Sequence, residues 1–317
     1  LLPGLDVVDG DDDPSVTESG GGSNHGTACA GIIGAVGNNA RDIAGACPEC
    51  RVRCVRFLDA TRPVPLSADV DAMRFALDHP DVAVVSNSWS FASQMPVPQA
   101  LREAIEDVSR HGRGGLGALV VFAAGNDNRE LVAGELYSIP EVLTVGAVNN
   151  YDEAAPFSNR GKEVDLTAPA GTLTLDLSGP AGDSPGDVTE SFGGTSSACP
   201  VVAGVAGLLF SFKPGATSTE VREALVAGTR KAPYATPDGD GHDLLYGHGI
   251  VDPATSLRLL DPPAPIPAVS GNLGPAACAA APAPLLVLVL SAFFRRKRHG
   301  SPARATPSSP SARRPRR

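Results

Sequence analysis

The sequence predicts a doubly wound α/β fold, a mostly parallel sheet flanked by helices, and three observations carry that expectation. Five short apolar runs, 52–57, 82–86, 118–123, 142–148 and 164–167, read as strands buried on both faces of a parallel sheet. Helical segments at 26–36, 67–78, 98–111, 197–212 and 218–227 lie between or beside them, an alternation that belongs to βαβ units. With 317 residues, 42% of them hydrophobic, the chain can bury a large core, and about 200–250 residues in one α/β domain is ordinary.

In chain order the acidic stretch Asp6–Pro14 comes first and reads as a loop. The segment 26–36 is rich in small residues, which lets a helix backbone lie close to its neighbours while its first turn presents His25. Ser67 suits the N-cap of 67–78. His79 and His111 close 67–78 and 98–111, where a cation suits the helix dipole. Asn87-Ser88-Trp89-Ser90 follows the run 82–86, and 118–123 leads into Ala124-Gly125-Asn126. Gly193-Gly194-Thr195-Ser196 forms a tight turn into the apolar helix 197–212.

That turn points to nucleophilic chemistry. Helix N-termini carry partial positive charge and unpaired N–H groups, which stabilise an oxyanion forming beside a serine oxygen. A serine alcohol is a weak nucleophile and needs a base. Of the six histidines, only His25 sits in comparable small-residue packing; His242 and His248 lie in glycine-rich stretches. Asn126, at the end of an apolar strand, can donate its amide to an oxyanion without bringing a charge.

His25-Gly26-Thr27, Ala123-Ala124-Gly125-Asn126 and Gly194-Thr195-Ser196-Ser197-Ala198-Cys199-Pro200 resemble, in this order, the signature blocks of the subtilisin-like serine proteases. The likeness runs from about residue 4 to about 257 and includes Asn87-Ser88-Trp89, Phe157-Ser158-Asn159 and Gly247-His248-Gly249. Asp11–Pro14 and the stretch 112–126 lean toward the kexin-like branch. The resemblance implies a serine endopeptidase acting on proteins or peptides, with Ser196 as nucleophile, His25 as base and Asn126 as oxyanion donor. It also implies that Ser88, Trp89 and Ser90 form one wall of the substrate cleft, and Ala124 and Gly125 the other. Phe91–Met95 carries no acid, so the dibasic specificity of kexin-like enzymes is not expected. Resemblance to their calcium loops implies Asp6, Asp11, Asp13 and Asn39 as ligands of a structural calcium, a cation that takes about six to eight oxygens. The family's catalytic aspartate precedes its histidine by a few tens of residues on a strand; Asp9 is too close to His25 for that role. The expectation is that this strand lies upstream of Leu1 and that residues 1–260 are a peptidase domain without it. A catalytically inactive binding protein of the same shape is the alternative.

Nine of the 26 Lys and Arg fall between Arg295 and Arg317, a stretch with no acid, so the rest of the chain is more acidic than the net charge of −9 suggests. An acidic body argues against nucleic acid as a partner. Six cysteines are present, and without a second Cys-x-x-Cys a local disulfide among Cys47, Cys50 and Cys54 is expected over a four-ligand zinc site. Residues 261–275 read as a Pro-rich linker, 276–299 as an apolar segment closed by Arg295–Arg298, and 300–317 as a disordered basic tail. Cys278, the apolar run and the Arg cluster resemble the sorting tails of some myxobacterial-type surface proteins. The expectation is a monomer held at the cell surface, with its membrane contact through this C-terminal segment and the domain outside.

Overall fold

Alternation within each strand assigns the helices to the two faces of the sheet. The computed structural model describes residues 1–15, 24–59, 65, 67–91, 93–179, 182–261 and, for the backbone alone, 286–291. Seven of its strands make one sheet: β1 (Leu2–Asp6), β2 (Arg51–Arg56), β3 (Val82–Asn87), β4 (Leu119–Ala123), β5 (Val142–Val148), β6 (Leu166–Pro169) and β9 (Leu286–Ser291). Their order is β1-β2-β9-β3-β4-β5-β6, and every neighbouring pair is parallel. The short strands β7 (Thr174–Leu175) and β8 (Val188–Thr189) pair separately and antiparallel.

The helices are α1 (His25–Gly34), α2 (Ala68–Asp78), α3 (Gln99–Gly115), α4 (Thr195–Phe212), α5 (Ser218–Ala227) and α6 (Pro253–Leu260). In β4, Leu119, Val121 and Ala123 pack in one core cluster with residues of α1 and α4. Val120 and Phe122, which point the other way, pack with residues of α2 and α3. Both faces are therefore covered, as an all-parallel sheet requires, and β3, β4 and β5 are buried along their whole length.

The path from β1 through α1 to β2 and the path from β2 through α2 to β3 advance in the same direction along the sheet. Since α1 and α2 lie on opposite faces, the two crossovers have opposite hands. One of them departs from the right-handed rule that parallel crossovers nearly always obey.

Most expected elements are present with shifted ends. The helix expected at 197–212 begins at Thr195, so Ser196 lies inside its first turn. Ser67 precedes α2, yet its side chain makes no capping bond. The strand expected at 164–167 spans Leu166–Pro169. The strands β1, β7, β8 and β9 and the helix α6 have no counterpart in the sequence reading. Asp252 caps α6 by accepting from the Ala254 and Thr255 amides. Leu2–Asp6 is an edge strand, and Leu286–Ser291, part of the segment read as an anchor, is an inner strand of the sheet. The linker 261–275, Cys278, the Arg295–Arg298 run and the tail 300–317 lie outside the described residues.

Candidate active site

The carboxyl ends of β3 and β4 and the amino ends of α1 and α4 meet at one place, where side chains from separate elements converge. Ser196 enters it because the preceding turn can be made only by glycine. Gly194 has φ +75° and ψ −178°, and a Cβ there would come within 3.0–3.1 Å of the Asn126 amide. Gly125, at φ +97°, is equally constrained, since a Cβ would lie 2.5 Å from Asn159 Nδ2.

Asn126 is fixed by its oxygen. Its Oδ1 accepts from the Thr195 backbone N–H at 2.8 Å and from Thr195 Oγ1 at 3.0 Å. The Thr195 hydroxyl in turn accepts from the Gly125 N–H at 3.1 Å. This holds the Asn126 amide at the first turn of α4, which carries Ser196 and whose leading amides have no helical acceptor. A pair of N–H donors next to a serine oxygen is the arrangement that stabilises a tetrahedral oxyanion.

Pro200 shapes the same turn. It has no N–H to donate to the carbonyl four residues back, so the Ser196 C=O is free of its usual helical partner. That oxygen accepts instead from Ser88 Oγ at 3.0 Å and from Cys29 Sγ at 3.6 Å. The Ser196 hydroxyl donates to the Ser88 carbonyl at 3.4 Å. Cys29 also lies 3.8 Å from His25 Nδ1, so one thiol touches both the α1 base and the α4 turn. His25 opens α1 and meets Phe192 edge-on at 5.2 Å. Burial pushes its imidazole down to about 4, so it is neutral across the ordinary pH range.

Two positioning residues escaped the sequence reading. Asp176 accepts from Asn24 Nδ2 at 3.0 Å at the start of α1, and from the Leu177 and Ser184 amides at 2.8 Å. Burial pushes this carboxyl up, yet the hydrogen bonds from Asn24, Ser184 and Leu177 hold it below the usual carboxylate range. Asn159 donates to the Ala124 carbonyl at 2.9 Å and accepts from the Asp127 and Arg129 amides, clamping the loop that carries Asn126. Asn159 was noted only as part of a motif, and nothing local marks Asp176, whose partner is far away in the chain.

Of the expected substrate walls, Trp89 is 4% exposed. Its ring packs edge-on against Phe57, Phe91 and Phe122, and its Nε1 donates to Asn87 Oδ1. The indole is core, so the 88–90 segment offers a peptide its main chain. Ala124 and Gly125 are likewise buried, and exposure begins at Asn126. A small cleft adjoins the first wall, lined by Phe91, Ser93, Met95, Tyr137 and the Arg129–Glu135 ion pair.

Asp6, Asp11, Asp13 and Asn39, expected as calcium ligands, each have protein partners. Asp6 is buried with Arg56 Nη1 at 2.7 Å, and its other oxygen accepts from the Val8 and Asp9 amides. The same guanidinium binds Asp9 and Asp59, so the positive charge a metal would bring is already supplied. Asp11, Asp13 and Asn39 accept from the backbone two residues on, as turn residues do. Among the described residues no group of three or more His, Cys, Asp or Glu is gathered to hold a metal.

Among the described residues the cysteines form one bridge, Cys47–Cys50, with Cα atoms 5.3 Å apart, while Cys54 stays free. Cys29 and Cys199 are buried free thiols, and burial pushes Cys199 up to about 11.

A profile of the subtilase family matches residues 6–249. A calcium-dependent protease of a Nostoc species is 31% identical over 284 residues, covering 78% of this chain and 42% of that protein. A thermophilic serine proteinase of Bacillus sp. AK1 is 35% identical over 225 residues, 71% of this chain and 50% of the relative. The chain thus spans about half the length of such curated relatives. Among solved structures, a protease from Pseudoalteromonas arctica superposes with a TM-score of 0.63 at 29% identity, covering 82% of this chain and 84% of that one. The serine protease of Aeromonas sobria, 22% identical, gives a TM-score of 0.72 over 84% of this chain and 57% of its own, a likeness of fold.

Proposed function

The chain belongs to the subtilase family, and on that premise we propose that it is a serine endopeptidase that hydrolyses peptide bonds through an acyl-enzyme. Ser196 Oγ attacks the scissile carbonyl carbon while His25 takes its proton. The carbonyl oxygen becomes an oxyanion held by Asn126 Nδ2 and the Ser196 N–H. Collapse of that intermediate breaks the C–N bond, His25 protonates the leaving amine, and water repeats the sequence to release the acid. The observation that carries this reading is the double grip of Thr195 on Asn126 Oδ1, which holds the amide at the turn that carries Ser196. An extended peptide would lie between the main chain of 88–90 and that of 124–125, paired as an added strand.

The carboxylate that orients His25 is, on this reading, carried by a strand upstream of Leu1, as the resemblance implies. An Asp-Thr-Gly or Asp-Ser-Gly in the coding sequence there is the expected finding. The Cys47–Cys50 bridge supports export, since disulfides persist in oxidising compartments. A second reading, a catalytically silent binding protein, is favoured by one contact: the Ser196 hydroxyl donates to the Ser88 carbonyl. Hydrolysis of casein by the full gene product, abolished by Ser196→Ala, is expected under the first reading. No Ser196-dependent hydrolysis, together with no upstream aspartate, would favour the second.

A further inference from the structure

The two walls assigned to a bound peptide, 88–90 and 124–125, share a third residue. Tyr137 is 6% exposed, and its hydroxyl oxygen stands 3.7 Å from the place where a Cβ on Gly125 would be. On the other side, the Ser90 side chain lies within hydrogen-bonding reach of the same phenol. Burial pushes the phenol up, so it remains an uncharged hydroxyl at ordinary pH. The tip of one aromatic side chain therefore reaches both walls.

Local structure holds it there. Leu136–Ser138 is a single 3-10 turn, and Leu136 and Ile139 are both 1% exposed. Side chains three apart eclipse in this geometry, so these two anchor the turn in the core on either side of Tyr137. Ser138 Oγ donates to the Glu135 carbonyl at 2.7 Å and accepts from the Gly134 N–H at 2.9 Å. The Glu135 carboxylate accepts from both terminal nitrogens of Arg129, at 2.9 and 2.7 Å, and from the Val132 amide at 2.9 Å. The phenol cannot swing aside without disturbing these bonds. The cleft that it lines with Phe91, Ser93 and Met95 holds about 10 Å³, room for roughly one water. Its buried carboxylate, Glu135, is already neutralised by Arg129.

We propose, taking from the function above only the placing of a peptide between these walls, that Tyr137 closes the side-chain pocket there. The residue whose carbonyl faces Ser196 is thereby limited to glycine, alanine or serine. A larger side chain would have to displace a ring packed in the core, and misfit of this kind discriminates by about tenfold or more.

Peptide binding tests this without calling on catalysis. Acetylated tetrapeptide acids, three alanines followed by alanine or by phenylalanine, are titrated into the full gene product carrying Ser196→Ala and followed by calorimetry. The alanine peptide should bind at least about tenfold more tightly. Adding Tyr137→Ala should abolish or reverse that preference, whereas Tyr137→Phe, which keeps the ring, should preserve it. Equal binding of the two peptides, binding of neither, or a preference that survives Tyr137→Ala would overturn the proposal. With Ser196 in place, kcat/KM for the matching anilides should rank in the same order. Absence of hydrolysis beside an intact binding preference would sink the peptidase reading and leave the closed pocket standing; cleavage after phenylalanine as fast as after alanine would do the reverse.

Discussion

Asn126 is gripped through its oxygen, so its whole hydrogen-bonding value to a substrate lies in the two amide hydrogens. Asn126→Ala is expected to lower kcat by about 10²–10³ with little change in KM, the range the handling of a transition-state oxyanion by one such donor commands in subtilisin. Thr195→Val removes one of the two bonds that aim the amide and should lower kcat less than Asn126→Ala does; steady-state kinetics of both variants checks the ranking. His25 gives a second expectation, read by stability. Its folded pKa is depressed from 6.5 to about 4 by burial. Between those values the unfolded chain binds a proton that the folded chain refuses. The contribution of neutral His25 is therefore fully present above pH 6.5 and is lost as pH falls toward 4. Urea denaturation at pH 7 and pH 4.5 should show a smaller pH dependence for His25→Gln than for the unaltered protein; an equal dependence would contradict the assignment.

Among the elements, the β1 and β2 ends illustrate what a sequence conceals. Asp6, Asp9 and Asp59 converge on Arg56 across two strands and a loop. Read along the chain, Asp6–Asp13 is a row of acids that invites a cation; the cation is a guanidinium fifty residues away. Arg56→Met should cost about 3–5 kcal/mol, because it leaves Asp6 buried and uncompensated. Thermal or chemical denaturation measures that loss, and a change under ~1 kcal/mol would show that the cluster is not structural. Ser196, His25 and Asn126 stand out in the sequence because each sits where local chemistry is strict: glycine turns before Ser196, a small-residue helix after His25, a strand end before Asn126. β3, β4 and β5 were legible because they are buried on both faces and so are continuously apolar. Asp176 and Asn159 were not, since their roles depend on partners that folding brings from distant positions. The run 286–291, read as part of an anchor, pairs with β2 and β3, a partnership that its composition alone does not announce.

For the molecule as a whole, covering both faces of a parallel sheet with helices places the amino ends of α1 and α4 above the carboxyl ends of β3 and β4. That architecture, with the opposite hands of its first two crossovers, is what lets residues far apart in the chain meet at one point. If the chain is the peptidase proposed above, Ser196 is an activated nucleophile in that setting, and the intact mass of the full gene product after reaction with a fluorophosphonate reads this out. One adduct on Ser196 is expected, formed more slowly by Asn126→Ala and His25→Ala and absent in Ser196→Ala; an unlabelled protein, or a label that survives Ser196→Ala, would overturn the peptidase reading.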